Sequence, residues 1–531
     1  MDDGLPVPAA LADETRGIAR SASIIALGNV TSRALGFVRD SVMASLFGAG
    51  AHVDALALAI IIPNQLNDLL TGGLVNSALV PVFSEYAAVD DRRRELWRLA
   101  SSLLTVVVVV VSVVVALLLL FTPQVVAVFA LLGGGNNPEA MAQAVPLLRL
   151  TLPAVLFLSL SGVLSGLLNA LRRFAYPAFT VAIFNASIAV VSLLLAWRLD
   201  VRAAALGLLV GAALQVVLQL PGLRDGLSSL RPLLDLRHPG LRRIFRLYLP
   251  IVGSLIVSQA SVLVGLGLAW GFVGGVSWMR YATTLYQFPL GLVAVAVSSA
   301  ILPTLSRQAA QLDAGFTNTL VRGLNLVLAL ILPATVGLFV LAHPVVALAF
   351  ERGEFTPLDT LMTALVLQVF LLGLAFAAVD QILIYAYYAR QNTLVPARVG
   401  VLSIGVYIAV ALLTLRPLGL FSLMLADSVK QITHAMVMGA LVSRRVGGFR
   451  RTNFWPTLGR VLLASLVMAV LTLAALWAVQ RLALPSLFMQ RLLEAAVPGL
   501  VGVVSYFWLA ERLNVSEVRL AVTLVRQRLG L

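Results

Sequence analysis

The chain has 531 residues, 60% hydrophobic and only 12% charged, with a formal net charge of +14 and no cysteine. That composition leaves too little polar surface for a water-soluble globular fold, and it excludes disulfides and thiolate chemistry. Its apolar runs approach the ~20 residues that span a hydrocarbon core and lack the period-2 alternation of barrel strands, which predicts an all-α polytopic membrane protein.

In chain order, residues 1–20 mix Asp2, Asp3, Asp13, Glu14, Arg16 and Arg20. They lack a basic start, a short apolar core and a small-residue cleavage site, so they are expected to be a retained cytoplasmic tail. About fourteen spans follow. Six, with cores near 22–46, 53–82, 99–121, 145–169, 176–197 and 203–220, form an expected N-terminal lobe over 21–220. A basic linker, 221–246, leads to a second lobe over 247–441, with cores near 247–272, 277–303, 319–342, 358–388, 395–415 and 418–441. The segment 442–531 carries two more, near 457–479 and 487–510, and a short tail.

The arginines set the orientation. Arg92, Arg93, Arg94 and Arg98 follow the second span, Arg172 and Arg173 the fourth, and Arg224, Arg231, Arg237, Arg242, Arg243 and Arg246 the sixth. Arg444, Arg445, Arg450 and Arg451 follow the twelfth, whereas the loop 122–144 contains no arginine or lysine. Arg198, Arg202, Arg352, Arg416 and Arg481 are exceptions. The positive-inside rule places both termini in the cytoplasm. The basic charge is therefore a topology signal, spread over many loops, and argues against a nucleic-acid partner.

An internal repeat joins the two sets of six. "SALVPVFS" at 77–84 returns as "SAILPTLS" at 299–306, and each ends a helix with an earlier proline, Pro63 or Pro289. Each of those helices follows a short Gly-rich turn, 47–50 or 272–275. Two pseudo-symmetric six-helix lobes in the same orientation result, an arrangement in which transporters place substrate between the halves. Prolines such as Pro153 and Pro303 can kink spans. Gly162-xxx-Gly166, Gly207-xxx-Gly211 and Gly267-xxx-Gly271 permit close helix packing.

Several spans keep charges that lipid does not tolerate. Arg33 and Asp40 are seven apart on one helical face, while Arg39 points elsewhere unless Gly36 bends the helix. The second span has Asp54 near one end and Asn64, Asn67 and Asp68 near its middle; the eighth has Arg280 and Gln287. These groups either line a watery cavity that binds an anion or pair with one another as structural ion pairs. Arginine's planar fork suits phosphate oxygens. Asp427, Lys430, Gln431 and His434 line the twelfth span, with Asp380 and Gln381 in the tenth as candidate partners. Spacings of three and four there suit either self-satisfied pairs or a site responsive to H+ or another cation.

Catalytic constellations are missing. The four histidines (His52, His238, His343 and His434) form no HExxH helix, and the single lysine, Lys430, follows Val429 rather than the glycine of a phosphate-binding loop. No metal or organic cofactor is expected; energy would come from Na+ or H+ coupling or from the membrane potential.

"SRALGFVRDSVMASLFGAGAHVDALALAIIIPN" at 32–64 resembles the opening of the MurJ/MviN family, the lipid II flippases of bacteria. "LLNALRRFAYPAF" at 167–179, "VSWMRYATTLYQFPLGLVAVAVSSAILPTLS" at 276–306 and "FERGEFT" at 350–356 are similar to it in the same order. The resemblance covers roughly 20–440. It implies the fold of the multidrug and oligosaccharidyl-lipid exporter superfamily, with two lobes around a cavity and two extra helices forming a lipid-facing groove. It implies export of an undecaprenyl-diphosphate-linked glycopeptide by alternating access, for peptidoglycan biosynthesis at the bacterial inner membrane, among membrane lipids and alongside cell-wall synthesis machinery. The family's functional residues in the first two helices match Arg33, Arg39, Asp40 and Asp54. Two positions depart: Asn67, followed by Asp68, stands where a family arginine is usual, and Thr283-Thr284 replaces an Asp-Arg pair, with Arg280 one turn earlier. Another polyprenyl-linked glycan is the nearest alternative substrate. A cation-coupled drug antiporter would instead require acidic cavity residues, a scaffold for wall enzymes would not need the cavity charges, and a membrane enzyme would need an acid/base pair.

Overall fold

The structure, a computed structural model, describes residues 9–72, 74–89, 93–134, 138–311, 315–445, 452–482 and 486–519, with side chains in the first helix from residue 23 onward. The start of the expected N-terminal tail, the last residues of the expected C-terminal segment, and Arg92, Arg450 and Arg451 lie outside these. Among the described residues every regular element is helical.

Among the described residues ten helices are long and apolar enough to cross a membrane. An eleventh joins them if Pro138–Thr151 and Ala154–Ala170, bent by 42°, form one span. Pro153 between them explains the bend, since proline removes an amide donor and crowds the preceding turn. The expected first and twelfth spans are the helices Ala9–Phe47 and Phe421–Arg445, which fall outside the apolar set, and the expected seventh is the helix Pro239–Ala269. Arg33, Arg39 and Asp40 dilute the first, and Asp427, Lys430, Gln431 and His434 the twelfth. Two expected loops hold short apolar helices instead, Thr122–Leu132 and Ala342–Phe350.

The chain divides into two compact units, Met1–Gly274 and Gly275–Leu531. In the first, Arg202–Gln219 packs on Thr180–Leu199, which also holds Ala9–Phe47, while Ala51–Asn67 packs on Pro138–Thr151. Gly207 makes the first contact intimate: a Cβ there would sit 2.9 Å from the Ile188 Cα. Pro239–Ala269, the helix that the sequence expectation puts first in the second lobe, packs within this unit. A Cβ on its neighbour Gly271 would lie 2.4 Å from the Gly133 carbonyl oxygen, so only glycine allows that approach.

The basic linker is docked. Arg231 and Leu233 amides donate to Ser101 Oγ and Thr105 Oγ1 at 3.2 and 3.0 Å. Arg243 forks onto both Glu85 oxygens at 2.5 and 2.9 Å, Arg98 meets Asp235 at 2.9 Å, and Arg173 pairs with Asp225. The Arg173 guanidinium holds the Asp225 carboxyl below its ordinary value. These surface pairs each add little on their own.

In the second unit Pro357–Ala389 packs on Phe421–Arg445, and Gly315–Val340 and Leu487–Arg512 pack on Phe454–Gln480. Pro357–Ala389 begins with a capping box, Thr356 Oγ1 accepting from the Asp359 amide and Asp359 Oδ2 accepting from the Thr356 amide. Such a cap is worth ~1 kcal/mol and satisfies donors that a helix otherwise leaves open.

Candidate functional site

Two charged residues of Ala9–Phe47, Arg39 and Asp40, form a pair. Arg39 Nε and Nη2 reach Asp40 Oδ1 at 3.0 and 2.9 Å, and Nη1 donates to Asn185 Oδ1 at 2.9 Å. Asn185 Nδ2 returns a bond to the Ser32 carbonyl at 3.1 Å, which fastens Thr180–Leu199 to the same helix. Asp40 is 1% exposed and Arg39 17%, so the pair is mostly out of water and internally neutral. Burying either charge alone would cost several kcal/mol, which explains the direct contact. Gly36 makes room for Asn185: a Cβ there would stand 3.3 Å from Asn185 Nδ2. Arg33, two turns from Asp40, is exposed.

Asp54 has a different neighbourhood from Arg39. It is fully buried, and its Oδ2 accepts the Gly274 amide at 2.7 Å, which holds the turn after Pro239–Ala269 in its left-handed glycine conformation (φ 80°). Asn67 ends Ala51–Asn67 half-buried, and Asp68 is exposed at the start of a π-helical turn, Asp68–Gly72. Sequence alone did not indicate what sits beside them. Gln65 Nε2 donates to Gln259 Oε1 at 2.6 Å, and Tyr248 donates its hydroxyl to the Leu69 carbonyl.

In the second unit Arg280 is half-buried on Gly275–Pro289. Thr284 Oγ1 donates to the Arg280 carbonyl at 3.2 Å, so that hydroxyl back-bonds to its own helix. The polar line of Phe421–Arg445 forms two pairs. Lys430 bonds Asp427 at i, i+3 and lies over the Tyr407 ring, 5.5 Å from its centroid. His434 Nδ1 lies 2.7 Å from Asp380 Oδ1, and both are nearly buried. Spacing made the first pair legible; the second joins helices 54 residues apart.

Two further features lie in this unit. A groove of about 360 Å³ is lined almost wholly by apolar atoms from Gly315–Val340, Phe454–Gln480 and Leu487–Arg512. Near one end of it, Arg491 bonds the Glu351 carbonyl at 2.5 Å and pairs with the Glu351 carboxylate, whose other oxygen accepts from Thr360 Oγ1 at 2.5 Å. One carboxylate thus ties three elements together. Among the described residues no group of three or more acidic or histidine side chains is arranged to hold a metal ion.

Residues 43–493 match the family model described as lipid II flippase MurJ. A probable lipid II flippase MurJ from Vibrio cholerae is 32% identical over 486 residues, covering 88% of this chain and 90% of that protein. A lipid II flippase MurJ from Burkholderia cenocepacia is 30% identical over 389 residues, covering 70% and 73%. Among solved structures, a lipid II flippase MurJ in an inward closed conformation aligns with a TM-score of 0.76 at 23% identity, over 92% of this chain and 97% of that one. An inward-facing multidrug resistance MATE family transporter of the MOP superfamily aligns at 0.66 with 12% identity, over 80% and 96%, a likeness of fold. The helical, span-rich architecture, the arginine held inside a membrane-length helix and the match along most of the chain agree: this chain belongs to the MurJ lipid II flippase family, whose members are transporters and not enzymes.

Proposed function

We propose that this protein moves lipid II, the undecaprenyl-diphosphate-linked peptidoglycan precursor, outward across the bacterial cytoplasmic membrane by alternating access. The layout we assign is fourteen spans, two six-helix lobes and two C-terminal helices, with both termini in the cytoplasm. In the first unit Arg33 and Arg39 are the groups we assign to the diphosphate, with Asn67 as a neutral position; in the second the assignment falls on Arg280, with Thr284 neutral. Asp40 and Asn185 orient Arg39, and Asp54 and Asp68 shape the adjoining helix. The apolar groove takes the polyprenyl tail.

The observation that carries this assignment is Arg33, an exposed cation on a membrane-length helix next to a neutral Arg39–Asp40 pair, in a chain of this family. An exposed guanidinium on such a helix suits water or an anionic headgroup. It also disfavours cationic drugs as cargo. The membrane potential assists an anionic headgroup leaving an inside-negative cell, at about 2.3 kcal/mol per charge per 100 mV. The Asp380–His434 and Asp427–Lys430 pairs are the groups we assign to any H+ or Na+ coupling.

The test is complementation. The protein is expressed in a bacterium whose own lipid II flippase is being depleted, and growth and surface-exposed lipid II are followed. Rescue that disappears in Arg33→Ala or Arg39→Ala, with membrane-inserted protein retained, is the expected result. Folded protein that never rescues would turn the assignment toward another polyprenyl-linked glycan, with Asn67 and Thr284 as the determinants.

A further inference from the structure

Two stretches of this chain carry a π-helical turn at equivalent places, and the first stretch carries a further one, Val75–Leu79, among the described residues. The equivalent turns span Asp68–Gly72 and Leu290–Ala294, five residues each, and the 222 residues from 68 to 290 equal the offset from "SALVPVFS" at 77 to "SAILPTLS" at 299. A π turn accommodates one residue more than an α turn. Because each α-helical residue advances the helix by about 100°, converting such a turn to α geometry rotates everything beyond it by roughly that angle. It is a switch in helical phase.

The surroundings of the two turns differ. The first is tied by polar bonds, with the Leu69 carbonyl taking the Tyr248 hydroxyl and Gln65 bonding Gln259 one turn earlier. The second, Leu290–Ala294, has no polar side chain in its sequence. Its Val293 lines the apolar groove together with Pro333, Gly337, Met468, Gly502 and Phe507. On the N-terminal side of the same turn, Gly275–Pro289 carries Arg280 and Thr284. The groove's volume falls in the ~300–1,000 Å³ range of small-ligand sites, and its apolar lining suits hydrocarbon.

We propose that Val293 is a positioning residue through which the hydrocarbon tail of a lipid-linked substrate, seated in the groove, sets the geometry of the Leu290–Ala294 turn and hence the aim of Arg280. The inference rests on the assignment of a polyprenyl-linked cargo. A tail packed against Val293 favours one packing of the turn over the other, and only differential contact of this kind shifts a conformational equilibrium. The tail is thereby read on the same helix that reads the headgroup. A cargo with the right diphosphate and a short tail would bind without re-aiming the arginine.

The test uses the full chain in nanodiscs and amide hydrogen exchange of peptides covering 285–300. A long-chain polyprenyl diphosphate, farnesyl diphosphate and inorganic pyrophosphate are the probes, with binding of each followed independently. Exchange across the turn is expected to slow by about tenfold with the long-chain compound alone. In Val293→Ala that ligand-dependent change is expected to fall by more than half, with ligand-free exchange unmoved; a merely structural role would shift both alike. Val293→Ile, which keeps the contact, should restore the response if Val293→Ala fails to fold. An equal effect of pyrophosphate, or long-chain binding without any change at the turn, overturns the inference and leaves the cargo assignment standing. Failure of every polyprenyl compound to bind overturns both.

Discussion

Asn185 is the residue whose loss separates holding an arginine from using it. It is 6% exposed and makes two bonds, one to the charged Arg39 and one to the Ser32 carbonyl. A hydrogen bond to a charged group is worth about 1.5–3 kcal/mol and a neutral one about 0.5–1.5, so Asn185→Ala should destabilise the first unit by roughly 2–4 kcal/mol. Equilibrium unfolding of the purified protein in mixed micelles would measure it. Asn185→Asp keeps an acceptor for Arg39 and gives up only the bond to Ser32, so its stability cost should be smaller. It nevertheless places a second carboxylate on Arg39, which changes the local charge from neutral to negative. At ~6 Å and an effective dielectric of about 20, that charge opposes a bound anion by about 3 kcal/mol per unit, some hundredfold in affinity. Asn185→Asp should therefore fold and fail in complementation. Wild-type unfolding by Asn185→Ala would refute the structural role of these bonds, and wild-type export by Asn185→Asp would refute the anion site.

Arg491→Ala strands the Glu351 carboxylate, 12% exposed, with only Thr360 as its partner, and should cost about 3 kcal/mol; Arg491→Lys, unable to reach the carbonyl and the carboxylate together, should recover part of it in the same unfolding assay. Acidification should loosen the linker around Asp225. A carboxyl depressed by Arg173 favours the folded form above its unfolded pKa and ceases to do so as pH falls through the lower folded value, so the loss begins below about pH 4. Amide exchange of 220–230 should rise there in the wild type and be raised at neutral pH in Asp225→Asn.

The spans were legible because a bilayer demands long apolar runs, and any sequence that satisfies it advertises the fact. The Asp427–Lys430 pair was legible because neighbours three apart on a helix must meet. Across distant helices, Asp380 was a candidate partner of the polar line that holds His434 because both stand out as polar in apolar spans, and the two do meet; other such pairings carry no mark of spacing. Asn185 stands among apolar residues 146 positions from Arg39, and only its polarity in that setting hinted at a partner. The closeness of Gly36 to Asn185 could not be read from its own helix. The π turns left no trace in composition, since a change from i→i+4 to i→i+5 bonding needs no particular residue. Asp54, one of the matched acidic positions, holds a backbone amide across 220 residues, a contact that spacing could not reveal.

The Glu351–Arg491 tie has a consequence for how the chain is made. Its two ends are 140 residues apart, so a ribosome synthesising from the N-terminus presents the carboxylate long before its arginine exists. Until Leu487–Arg512 is inserted, Glu351 has only Thr360 of these two partners. Completion of the final helix neutralises that charge. A chain truncated before residue 491 keeps an acid at this position without its arginine.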